Sequence, residues 1–209
     1  MKLSVYNTEG KETSKSVTLS KDIFGIEPND HAVYLDVKHF LAAQRQGTHK
    51  SKERSDVSGS RRKLRKQKGS GAARVGDIKN PLFRGGGRVF GPRPRDYNFK
   101  LNKKVKVLAR KSALSQMAIN KNIIVLEDFT MEAPSTKGYA TILANFDQSN
   151  NKTLLILADS NKNILLSSRN LKSTKVVSVS SLTTYDLMNA HKLMFVESSI
   201  KEIEKNYKK

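Results

Sequence analysis

The sequence predicts a single α/β domain, a four-stranded and mostly parallel sheet flanked by helices, with one long extended basic loop. From residue 101 onward, short apolar runs alternate with helical patterns, as in strands joined by crossover helices. Residues 45–100 hold 17 Lys or Arg against 4 Asp or Glu, a net of +13 in 56 residues. The same stretch carries 9 of the 12 glycines and 3 of the 5 prolines. It shows no sustained helical or strand period, so it cannot bury a core of its own. The expected division is a globular part, 1–44 with 101–209, and an inserted segment, 45–100.

The first elements are two short strands, at 3–6 and about 15–19, around a turn near Asn7–Lys11. A loop from Ser20 to Asp30 follows, and Asn29 or Asp30 is placed to cap a helix running to about Gln44. Ala32, Val33, Leu35, Val37, Phe40 and Leu41 are its candidate buried positions, and Gly47 stops it. Beyond the basic segment, Asn102 is a candidate cap for a helix reading KKVKVLARKSALSQMAINK. Val105, Leu108, Ala109, Ser112, Ala113, Gln116 and Met117 lie on one face of it.

Ile123–Leu126, Thr153–Leu157, Val176–Val179 and Lys192–Val196 then read as buried strands. Between them fall a helix from about Pro134 to Phe146, a short helix or turn around Asn161–Arg169 and a short helix at Thr183–Asn189. Ser198 or Ser199 is placed to cap a last helix to about Tyr207, with Lys208 and Lys209 favouring its dipole. Strands separated by helices of this length are parallel and joined by right-handed crossovers.

Charge narrows the partners. The whole chain carries +20, and the 153 residues outside the basic stretch carry only +7 of it. A polyanion, and nucleic acid first, is the expected partner. A membrane is not: no run of about 18 apolar residues exists, and the basic segment lacks an apolar face. Residues 1–20 are polar and lack the apolar core of a secretory signal. The absence of cysteine excludes disulfides and Cys-ligated zinc and fits a reducing cytoplasm.

Catalytic and cofactor patterns fail on context, so neither an enzyme nor a cofactor is expected. Gly69–Gly76 has the glycines of a dinucleotide fingerprint, but Arg61–Lys68 before it is charged rather than a strand. Gly85-Gly86-Gly87 lacks the Lys and Ser or Thr of a P-loop. His31, His39, His49 and His191 show no metal-ligand spacing. Glu127 and Asp128 end a strand, where parallel-sheet enzymes place catalytic groups, but a polar strand end explains them as well.

The basic segment divides by residue type. Arg61, Arg62, Lys63, Arg65, Lys66 and Lys68 form a dense run suited to phosphates, and Lys50, Lys52, Arg54 and Lys79 add to it. Arg45, Arg74, Arg84, Arg88, Arg93 and Arg95 are more widely spaced; Arg grips phosphate as a fork or stacks on bases. Phe83, Phe90, Tyr97 and Phe99 interleave with them, to stack on unpaired bases or to anchor the base of the loop. Lys103 and Lys104, which follow directly, are expected to join them.

Six blocks occur here in a fixed order: RQGT at Arg45–Thr48, VSGS at Val57–Ser60, RKQKGSGAAR at Arg65–Arg74, IKNP at Ile78–Pro81, GGG at Gly85–Gly87 and GPRPR at Gly91–Arg95. Lys103-Lys104 opening a helix and EAPSTK at Glu132–Lys137 extend the pattern. Over nearly its whole length the chain resembles the bacterial form of ribosomal protein 4 of the large subunit. Near the loop tip Arg65 stands where that family often has an aromatic, Lys66 where it has Arg and Ser70 where it has Thr. The resemblance implies a cytoplasmic, ribosome-bound protein that binds large-subunit ribosomal RNA, supports assembly and contacts other large-subunit proteins. It implies that the loop tip, Gln67, Lys68, Gly69 and Ser70, lines the peptide exit tunnel, near ribosomal protein 22 of the large subunit and the nascent peptide. The residues alone leave two other readings open, a nucleoid-type DNA-binding protein and an α/β enzyme with a basic insertion.

Overall fold

Four adjacent parallel strands of the sheet are built from apolar runs that suit burial. β3 (Ile123–Leu126), β4 (Thr153–Leu157), β5 (Thr174–Ser178) and β6 (Lys192–Val196) are rich in Leu, Ile and Val, and β4 is buried at every position. The computed structural model describes residues 1–207, so Lys208 and Lys209, expected at the end of the last helix, lie outside the described residues. The chain divides into two units, Met1–Leu41 with Lys100–Lys209 and Ala42–Phe99.

The first unit holds a six-stranded sheet rather than the four-stranded one expected. β1 (Lys2–Tyr6) and β2 (Glu12–Thr18) form the expected antiparallel hairpin, and the hairpin joins the sheet in the order β2-β1-β3-β6-β4-β5. β1 runs parallel to β3, with Val5 opposite Val125 and Tyr6 opposite Leu126. Val5 is fully buried and extends the apolar surface of β3. A hairpin is a local pattern, but the strand it docks on lies more than a hundred residues away, so the docking carries no local signal.

Alternation along β6 divides the core. Leu193 and Phe195 face one layer, with Val5, Leu114, Val125, Ile156, Ile200 and Ile203. Met194 and Val196 face the other, with Leu126, Tyr139, Leu143, Leu155 and Ile164. α3 (Lys103–Ile119) and α7 (Glu197–Tyr207) pack on the first face, and α4 (Thr136–Asn145) and α5 (Lys162–Ser168) on the second.

Caps fix most helix starts. Ser135 Oγ accepts from Gly138 N, Asn161 Oδ1 from Asn163 and Ile164 N, and Thr183 Oγ1 from Asp186 N, which opens α6 (Thr184–Asn189). Asn29 Oδ1 accepts from Ala32 N at 2.9 Å and caps α2 (Asp30–Ala43). Three expectations need correction. Asn102 makes no side-chain cap bond for α3. The helix expected to be capped by Ser198 or Ser199 already begins at Glu197. There the Asp128 carboxylate accepts from Ser198 N at 3.3 Å and Ser198 Oγ at 2.6 Å. Residues 21–24, expected as loop, form a one-turn helix, α1 (Lys21–Phe24), because Ile23 and Phe24 are buried against the core.

The helix faces also differ in detail. On α2, Ala32 and Val33 are buried but Leu41 is exposed, while Asp36 is buried and accepts a 2.5 Å bond from Thr184 Oγ1. On α3 the buried face extends to Leu114, Ser115 and Ala118, and Leu108 is left exposed. Ser112 and Ser115 sit in the core with a reason. Their hydroxyls accept from Asn29 N and Ile26 N, and Ser115 Oγ donates to Ile23 O, which satisfies the backbone between α1 and α2. β5 begins two residues early, and Val179 opens a single 3-10 turn, Val179–Ser181.

The carboxylates after β3 have structural partners. Glu127 pairs with Lys15 at 3.0 Å, and Asp128 holds the start of α7. Among the described residues, no three His, Asp or Glu gather as a metal site, and no helix is long and apolar enough to cross a membrane.

Candidate nucleic-acid interface

Residues 42–99 contain no helix or strand beyond the end of α2. Two arms of this unit are joined by a few backbone bonds. Arg95 N donates to Gly47 O (3.2 Å), Ser51 N to Pro92 O (3.0 Å), Arg88 N to Lys52 O (2.9 Å) and Leu64 N to Gly76 O (2.9 Å). Several positions leave no room for a Cβ, Gly47 and Gly86 among them. Gly47 has φ +65°, and a Cβ there would collide with Arg95 O and stand 3.0 Å from the Tyr97 ring. At Gly86 a Cβ would collide with Asn80 O, where the chain turns through Asn80, Phe83 and Gly86.

The arms are held by an aromatic clamp and three ion pairs. Two guanidinium groups lie over the Tyr97 ring, Arg45 at 3.6 Å from its centroid and Arg95 at 4.7 Å. Its hydroxyl is 3.2 Å from His49 Nε2. Tyr97 therefore takes the anchoring role, while Phe90 is 99% exposed and free to stack. Arg93 pairs with Glu53 at 2.6 Å, Lys50 with Asp56 at 3.1 Å and Arg54 with Asp77 at 3.0 Å. Three of the four carboxylates of the segment are thus consumed within it. Asp77 Oδ1 is buried, and its approach to Arg54 is an ion pair without hydrogen-bond alignment.

These contacts segregate the charge. Residues 58–74 are exposed throughout and carry seven Lys or Arg with no Asp or Glu. Arg61, Arg62, Lys63, Arg65, Lys66, Lys68 and Arg74 all lie there, with Gln67, Gly69 and Ser70. Lys63 Nζ donates to Gln67, a neutral partner. Gly69 and Gly71 take positive φ, +81° and +64°, in open space. Lys52, Arg84 and Arg88 are also exposed, and Lys103 and Lys104 project from the first turn of α3 in the other unit. Lys79 differs: it is only 7% exposed, with its stem against Gly59.

The guanidinium of Arg95, by its hydrogen bond and then its charge, with Arg45 adding charge, holds the Tyr97 phenol below the ordinary tyrosine value. The Glu12 carboxylate raises Tyr6, and burial raises Tyr139. Ultraviolet titration should therefore show Tyr97 ionising first, and Arg95→Gln should move that step upward. A first step at the ordinary value, unmoved by Arg95→Gln, would break the clamp assignment. Because the folded value is the lower one, the clamp adds stability through this group only as pH rises past it, and none at neutral pH.

The segment can neutralise phosphates with its tip, while in its arms three of the cations are paired with carboxylates. The family model described as the ribosomal protein L4/L1 family matches residues 17–206. Large ribosomal subunit protein uL4 of Parabacteroides distasonis is 60% identical over 208 residues, all of both chains. The proteins of the same name from Flavobacterium psychrophilum and Cytophaga hutchinsonii are 58% identical over all of both chains and 59% identical over 98% of each. Sequence blocks, α/β fold and full-length similarity together place this chain in the ribosomal protein L4/L1 family.

Proposed function

We propose that the chain is a structural, non-catalytic constituent of the large ribosomal subunit in the cytoplasm, and that it binds large-subunit ribosomal RNA through residues 45–100. In this reading, 1–44 with 101–209 is the folded body and 45–100 is the inserted RNA-binding loop. The observation that carries it is the tip: residues 58–74 are wholly exposed and hold seven cations and no anion. Such a surface holds no carboxylate of its own and suits a phosphate backbone. The cations of the arms, from Arg45 to Arg95, extend the contact, and Lys103 and Lys104 contribute to RNA binding from the folded body. Binding of this kind orders RNA locally and so supports subunit assembly. Gln67, Lys68, Gly69 and Ser70 form the tip that reaches the exit tunnel wall, near ribosomal protein 22 of the large subunit and the nascent peptide.

A photoreactive group at Ser70 tests the placement. In purified ribosomes it should crosslink to ribosomal RNA and to a stalled nascent chain. Crosslinks to neither, with the protein present in the subunit, would remove the tip from the tunnel. Failure of the chain to sediment with large subunits would remove the whole reading.

A further inference from the structure

The parallel strands carry a charge pattern that the basic segment does not explain. Lys152 precedes β4, Lys172 stands two residues before β5, Lys192 opens β6 and Lys121 stands two residues before β3. At the other strand ends stand Glu127 and Asp128 after β3, Asp159 after β4 and Glu197 after β6. Because β3, β6, β4 and β5 are all parallel, one edge of the sheet gathers lysines and the opposite edge gathers carboxylates.

A cleft of about 330 Å³ opens on the lysine edge, between the starts of β4 and β5. Lys152, Lys172, Lys175, Thr153, Thr174 and Asn189 line it. The one carboxylate that reaches it, Asp186, is 2.6 Å from Lys175 Nζ and also accepts from Thr183 Oγ1. Lys152 Nζ donates at 3.1 Å to the neutral Asn189 Oδ1, so its charge is uncompensated. Lys172 is exposed and has no side-chain partner among the described residues. Lys192 lies beside Lys152, since both His191 N and Lys192 N donate to Lys152 O, and it too bonds only neutral oxygens, Lys121 O and Asn122 Oδ1.

We propose that this cleft is a second phosphate-binding site for an RNA backbone, on the folded body and separate from residues 45–100. Three lysines against one carboxylate leave two positive charges in the cleft, with Lys192 beside it. The volume exceeds that of several waters, at about 30 Å³ each, so a phosphodiester fits with part of its hydration. Lysine ammonium groups are point donors that bind phosphate without reading bases, and no arginine fork lines the cleft. The choice of RNA among polyanions rests on the function proposed above; the site itself rests on the cleft.

Lysine acetylation of the full-length protein, with and without large-subunit ribosomal RNA, tests it. Acetylation of Lys152 and Lys172 should slow at least about threefold as phosphates occupy them, while exposed Lys11 and Lys162 stay unchanged. Protection of Lys63 and Lys66 with none at Lys152 and Lys172 overturns the cleft site alone. Protection of neither set overturns both assignments. Protection of the cleft by a polyglutamate peptide but not by RNA makes it a protein-docking site and overturns the proposal. The double variant Lys152→Gln/Lys172→Gln changes two exposed side chains and should keep its melting temperature. It should lower the slope of log affinity against log salt by about 2, nearly one per lost phosphate contact. An unchanged slope overturns the proposal.

Discussion

Replacing residues 48–98 by a short Gly/Ser linker is expected to leave a cooperatively folding α/β body and to remove most of the RNA affinity. The two core layers are built from residues outside the replaced stretch, with none between Thr48 and Asn98 in either. Within the stretch, ordering costs roughly 1–2 kcal/mol per residue in backbone entropy, and few backbone bonds and little apolar burial offset it. A shorter connection also closes with less entropy loss. The replacement removes 15 of 39 Lys and Arg and 4 of 19 carboxylates, so the net charge falls from +20 to +9. For the intact chain, six tip contacts alone make affinity fall about a thousandfold between about 50 and about 200 mM salt. The variant should lose most of that slope. Thermal unfolding and a salt titration decide the matter, with amide exchange of the free intact protein, which should be fast through residues 58–74. An unfolded variant, or strong protection in the free loop, would put the segment inside the core.

Phe195→Ala is expected to be the most damaging single change in the body. Phe195 is fully buried in β6, between Val125 of β3 and Ile156 of β4. Its ring meets Phe24 edge to face at 6.2 Å and 84°. Truncation removes buried area and leaves a cavity that two paired strands cannot close, at a cost of about 3–5 kcal/mol. For a domain of this size that lowers the melting temperature by on the order of 10 °C. Leu82→Ala, at a side chain 89% exposed, should shift stability by less than about 0.5 kcal/mol. Equal effects of the two changes would contradict the core described here.

Legibility followed the range of the interactions. TLLIL at Thr153–Leu157 and KLMFV at Lys192–Val196 are continuous apolar runs, and their bounds match the structure. The caps at Asn161 and Thr183 are local, and the chemistry of each residue announces them. What the sequence concealed is nonlocal. The docking of β1 on β3 and the satisfaction of the Ile26 and Asn29 amides by Ser115 and Ser112 depend on residues 83 or more positions away. In the basic segment the excess charge is plain from counting. The pairing of Arg93 with Glu53, forty residues apart, and the burial of Lys79 are not, because a coil has no period to read. The lysine before each parallel strand was visible in the sequence, but only the strand order brings those lysines to one edge.

The position of β6 bears on when the chain can fold. It comes last of the six strands in chain order, yet it lies in the middle of the sheet, between β3 and β4. Until residue 196 is available, β2-β1-β3 and β4-β5 are two ribbons with no partner between them, each with an edge open to other chains. Closing them requires contacts across most of the chain length, which folds slowly compared with local pairing. The sheet is therefore completed only after residue 196 has been made. A chain broken off before Lys192 lacks the strand that joins its halves, so only copies that reach Val196 gain the closed core.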